Sequence, residues 1–138
     1  KYMSLPRLQL GLSFVLLLVF VAAGCSDDET NPISAFEPEV VNNTDAFQFQ
    51  ITGASNVTTN LTYQWENTGT QASIDHSTAM TDGSAVLTIF DADSTQVYTN
   101  GLVASGTHQS AVGTAGIWTV QISFVNFDGT ANFRAEKL

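Results

Sequence analysis

Three groups of residues in this 138-residue chain carry side chains able to do chemistry. Cys25 is the lone thiol, closing the apolar run Leu10 to Ala23 and Gly24 just ahead of Ser26-Asp27-Asp28-Glu29. A thiol is most often buried as a small apolar group, but one set between glycine and an acidic run is poorly suited to a core and is open to modification. Asp75-His76-Ser77 places an acid, a base and a nucleophile side by side. Neighbours along a strand point to opposite faces, so these three cannot form a triad, and both His76 and His108 are expected at the surface. The third group, Asp91-Ala92-Asp93-Ser94, offers alternating carboxylates. Asp91 and Asp93 are the one candidate pair of calcium ligands, although a hairpin turn asks for the same residue types. A second cysteine and a His-x-x-x-His spacing are both missing, which excludes the common zinc sites. The expectation is therefore no enzyme, no catalytic residue and no cofactor.

The start of the chain must be separated from the fold before its elements are placed. Lys1 and Arg7 give a positive opening to the apolar run. A transmembrane helix needs roughly 18–20 apolar residues, more than Leu8 to Ala23 supplies, and acidic rather than basic residues follow. An export signal fits better. Val21 and Ala23 suit an ordinary signal peptidase cutting after Ala23. The unbroken approach to Gly24-Cys25, by contrast, resembles the bacterial lipoprotein type. That resemblance implies cleavage between Gly24 and Cys25, a diacylglycerol on the thiol and a further acyl chain such as palmitate on the new amine. The chain departs from the family in having Ala22 where leucine is usual.

Ser26-Asp27-Asp28-Glu29 is similar to the acidic signal that follows the lipidated cysteine in Bacteroidota lipoproteins. It implies an outer-membrane protein facing the cell exterior, held through Cys25. Two or three acyl chains anchor firmly where one holds reversibly. The expected organisation is a signal over 1–24, read as an apolar helix, a disordered acidic tether over 25–35, and one folded domain over 36–138.

All 13 acidic residues lie beyond Cys25, and of four basic residues Lys1 and Arg7 leave with the signal, so the mature charge is 2 − 13 = −11. Nucleic acid is excluded as a partner. Anionic headgroups are repelled by the same field, so the anchor alone must hold the membrane. A single thiol permits no internal disulfide.

Beyond the tether the sequence alternates. Phe47, Phe49 and Ile51 oppose Gln48 and Gln50; Leu61, Tyr63 and Trp65 oppose Thr62, Gln64 and Glu66; Trp118, Val120, Ile122 and Phe124 oppose Thr119, Gln121 and Ser123. This period of two predicts half-buried strands with Trp65 and Trp118 in the core. Val86 to Phe90 is apolar on both faces and predicts a strand covered on both sides. Turn signals fall at Gly53, Asn67 to Gly69, Asp82-Gly83, Asn100-Gly101 and Asp128-Gly129, the last read as a hairpin. The fold class is all-β: a two-sheet antiparallel sandwich of about seven to eight short strands.

Gly116 to Ile122, Asp128-Gly129-Thr130 and the hairpin pattern of Ser84 to Tyr98 resemble the jelly-roll modules of bacterial exported proteins, the pre-peptidase C-terminal domains among them. That resemblance implies the sandwich fold and no particular ligand; the role expected of the chain is a non-enzymatic binding or interaction module. Glycan-binding accessory and structural-subunit roles are the alternatives, with a protein or a glycan as partner. Tyr98, out of phase with Val97, and Phe127, beside a loop, are the candidate contact surface. Asp93-Ser94-Thr95 resembles the short O-glycosylation motif of Bacteroidota.

Overall fold

A computed structural model describes residues 32–138. The signal, including Gly24, and tether residues 25–31, including Cys25, lie outside the described residues. A 3₁₀ turn, Ile33–Phe36, opens the described chain, and its Ile33 and Phe36 pack on the core. The folded unit thus takes in residues expected to belong to the tether.

Six strands follow: β1 (Glu39–Asn43), β2 (Ala46–Asn67), β3 (Ala72–Phe90), β4 (Gln96–Gly101), β5 (Gly106–Gln109) and β6 (Gly116–Lys137). All pair antiparallel in one sheet, ordered β1-β2-β6-β3-β4, with β5 also on β3.

β2 holds 22 residues and would span about 70 Å if straight. Yet its two ends meet: Asp45 N–H, just before it, donates to the Glu66 carbonyl at 2.8 Å. The Phe49 ring lies 5.8 Å from Phe133 and 6.1 Å from Phe124. Those two residues would stand about 30 Å apart on an extended β6. The sheet is therefore folded over on itself, and its two halves form the layers of a sandwich.

The crease runs through the middle of all three long strands. Pairing slips between Ile51 and Thr59 in β2 and between Met80 and Ser84 in β3. Positive φ occurs at Gly53 (62°), Asn56 (51°), Gly83 (76°), Asn126 (47°) and Gly129 (137°). Bulges of this kind bend a strand and increase its twist. At Gly83 a side chain is excluded twice, since a Cβ would fall 2.1 Å from the Asn126 carbonyl oxygen. Across the crease, Asn56 N–H donates to Asp128 Oδ1 at 2.7 Å, and Asn126 N–H to Thr58 Oγ1 at 2.9 Å.

The sandwich expectation holds, while its strand count changes. Asp128-Gly129, read as a hairpin, is instead a bend within β6, because both of its flanks continue pairing with β2 and β3. Gly53 and Asp82-Gly83 mark the same crease. A left-handed residue serves a bulge as well as a reversal, so turn chemistry alone does not separate them.

The first layer holds β1, the start of β2, the end of β6, the start of β3, and β5. The second holds the remainder of those three long strands and β4. Between the layers lie Phe47, Phe49, Ile51, Trp65, Leu87, Ile89, Trp118, Val120, Ile122, Phe124 and Phe133, all 0–1 % exposed. Trp65 and Trp118 are cross-strand partners in edge-to-face contact at 5.7 Å. Val86 to Phe90 is flanked by strands but covered on one face only: Val86 is 36 % exposed and Phe90 half-buried, both turned outward.

Candidate functional site

The expected contact residues are both in the core. Tyr98 is 8 % exposed and Phe127 is 0 % exposed. At Tyr98 the cause is a bulge: Ile89 pairs with Tyr98 but Phe90 with Gln96, so Val97 and Tyr98 both turn inward. At Phe127 the left-handed Asn126 shifts the phase and swings the ring onto Phe124, 4.9 Å away. Neither forms a contact surface.

His76 also departs from expectation. It lies on the inward row of β3, after Ala72 and Ile74, and is 6 % exposed. Its ring stacks on His108 of β5 at 4.9 Å and 6°. Asp75 and Ser77 point to the outer face, away from it, as strand alternation requires.

The carboxylates at turns are engaged by the fold. Asp91 Oδ1 accepts from the N–H groups of Asp93 (3.0 Å) and Thr95 (2.8 Å), and Oδ2 from Thr114 N–H (2.9 Å). Thr114 Oγ1 donates to Asp93 Oδ2 at 2.7 Å. Asp91 thereby ties the β3–β4 turn to the segment before β6. Donation from Thr114, then Thr95, holds its carboxyl below the usual carboxylate value. A cation there would face three N–H dipoles, so Asp91 and Asp93 form a turn clamp. Among the described residues no cluster of three or more metal-ligating side chains occurs. Asp45 plays a like part, accepting from Lys137 Nζ, Thr68 N–H and Thr68 Oγ1, and Lys137 lowers its proton affinity most. Ser94, of the glycosylation-like motif, stands exposed at the β3–β4 turn.

Reactive groups being so engaged, the outer faces remain. The first layer shows a shallow groove of about 370 Å³, bordered by Gln48, Asp75, Ser77, Thr107, Asn132 and Arg134, with His76 and Gly106 also in its lining. Its central row runs Gln48, Arg134, Asp75, Thr107, and Arg134 pairs at 3.6 Å with Glu136.

The second layer differs. Its central rows are Asn60–Ser123–Val86, Thr62–Gln121–Thr88–Thr99 and Gln64–Thr119–Phe90, none of them charged. Gln64 Nε2 donates to Thr119 Oγ1 at 3.1 Å, and the Thr88 and Thr99 hydroxyls meet at 3.1 Å, so the rows are knit laterally. Two adjoining depressions of about 160 and 240 Å³ share Gln121, and the second is walled by Phe90. Val125 (48 % exposed) stands diagonal to Val86. Alternation revealed that Thr62, Gln64, Thr119, Gln121 and Ser123 face outward; that Val86 and Phe90 join them, and that these runs share one layer, depends on the crease.

No protein-family model and no curated protein matches the chain. Among solved structures, a glycoside hydrolase family 43 arabinoxylan arabinofuranohydrolase from Bacillus subtilis, in complex with cellotetraose, is similar at 16% identity. The match covers 69% of this chain and 19% of that one, with a TM-score of 0.27. This chain spans about a fifth of that protein's length, and at such a score the likeness says nothing of function.

Proposed function

We propose that the chain is a lipid-tethered, non-enzymatic binding module of the outer membrane, anchored through Cys25, facing the cell exterior, and meeting its partner through the outer face of the second layer. The observation that carries the reading is the uncharged strip of amide, hydroxyl and apolar side chains around Gln121 in an otherwise strongly acidic chain. A charge-poor centre with apolar groups inside a polar rim is the composition that distinguishes protein contact surfaces from the rest of a surface. The non-catalytic part rests on the use made of reactive groups, since Asp91 and Asp45 are engaged within the fold and His76 is turned inward, away from Asp75 and Ser77.

A protein partner is favoured over a glycan. Sugar rings stack on exposed aromatic faces, and the large apolar side chains exposed among the described residues are Val, Ile and Leu. The exposed Val86 and Val125 beside half-buried Phe90 suit a packed protein contact.

Two experiments test the reading. Intact mass of the membrane-extracted protein should give a chain beginning at Cys25 plus acyl groups; a chain beginning at Gly24 with a free thiol contradicts the anchor. Co-purification from solubilised outer membranes should lose the partner in Gln121→Arg and keep it in Thr107→Arg. Loss in Thr107→Arg alone moves the contact to the other face.

A further inference from the structure

The proposed contact surface leaves unused the buried His76 and its half-buried stacking partner His108. His76 occupies an inward position opposite Phe133 of β6 on one side and Gly106 of β5 on the other. Neither of its ring nitrogens meets a well-aligned partner, and the Tyr98 hydroxyl and Thr78 Oγ1 nearby are buried in the same condition. A buried polar group without a well-aligned partner is costly, and more so when charged, so the neutral ring is favoured here.

The element above this pair is weakly held. β5 has four residues, four register pairs to β3, and no strand beyond it among the described residues. On its far side it is fixed at Ser110, whose Oγ accepts from Ala72 N–H at 3.0 Å and whose N–H donates to the Ala72 carbonyl at 2.9 Å. The His108 ring fills the space that a side chain at position 106 would take, since a Cβ on Gly106 would lie 3.1 Å from His108 Nε2. Beneath the strand the His108 ring meets His76 and Tyr98.

We propose that the His76–His108 stack is a proton-operated latch: neutral, it holds β5 on the sheet; protonated, it releases that edge strand about Ser110. A proton on His76 sets an imidazolium in a buried site, stacked on the His108 ring at 4.9 Å. The groups facing the pair are His108 from β5, Tyr98 from β4 (6.2 Å from His108), and Asp75 beside His76 on β3; Phe133 on β6 is uncharged. Burial, then His108, lowers the proton affinity of His76, while the Ala104 backbone and Asp75 oppose them more weakly. The closed state accordingly binds fewer protons than the open one. Its advantage is complete above the usual imidazole value of 6.5 and declines as pH falls below it. Release bares the backbone of Ser73 to His76, an open sheet edge of the kind an incoming strand can extend.

Hydrogen exchange on the full chain in detergent tests this at about pH 7.5 and about pH 5, corrected for the intrinsic pH dependence of exchange. Protection of the β5 amides should fall by about tenfold or more at the lower pH, with the β6 amides unchanged. His76→Phe, which keeps a ring in an apolar site, should hold β5 closed at both. Equal β5 protection at both pH values in the wild-type chain overturns the latch. So does a fall that persists in the double variant His76→Phe/His108→Phe.

Discussion

β2, β3 and β6 each pass through both layers, and the two halves compare differently on their inward and outward faces. Inward, the halves are alike: Phe47, Phe49, Ile74 and Phe133 in the first layer answer Trp65, Leu87, Trp118 and Val120 in the second. Outward, they part. The first layer shows Glu39, Asp75, Arg134 and Glu136, whereas the central rows of the second show Thr, Gln, Ser, Asn, Val and Phe. Folding constrains the inward rows through packing, and either outward set is compatible with the same backbone. The outward difference is therefore where selection for contact can act.

Substitutions that ignore this distinction should have the largest effects. Trp118 is fully buried, with its Nε1–H donating to the Thr114 carbonyl at 2.8 Å. Trp118→Ala should cost about 3–5 kcal/mol in a urea melt; an unmoved midpoint would mean that the inward rows are misassigned. Next comes the crease that creates two layers. Gly83→Ala places a Cβ against the Asn126 backbone at positive φ and should cost about 1–3 kcal/mol or more. A neutral result would show that the bend does not pass through Gly83.

Asp91→Ala removes the acceptor for three backbone N–H groups, lowering the thermal midpoint at neutral pH. Because the fold depresses its proton affinity, Asp91 stabilises fully above the ordinary carboxylate value of 3.8 and loses that effect as pH falls through the folded value. The gap between variant and wild type should thus close in acid. A constant gap would show that the ionised carboxylate is not the source of the loss. Smallest of all, Gln121→Arg on the outer face should shift stability by no more than about 0.5 kcal/mol while disrupting the contact.

The inward rows were legible from sequence because alternation reports burial directly: Phe47 to Ile51, Leu61 to Trp65 and Trp118 to Phe124 all fall where their phase places them. The crease was not. Gly53, Gly83 and Gly129 carry a backbone preference that a bend and a reversal share, and only pairing with strands distant in sequence decides between them. The same limit misplaced Tyr98 and Phe127, whose phase is reset by a bulge and by left-handed Asn126. His76 was hidden because polar flanking residues say nothing of the inward row on which alternation sets it.

The contact claim is tested most directly by photocrosslinking in intact cells, with a photoreactive residue placed at position 121 in one strain and at position 134 in another. Both positions are solvent-facing centres of their layers, so the comparison holds reach and tether constant. A discrete adduct is expected from position 121 and none from position 134. An adduct from 134 with none from 121, or equal adducts from both, would contradict it.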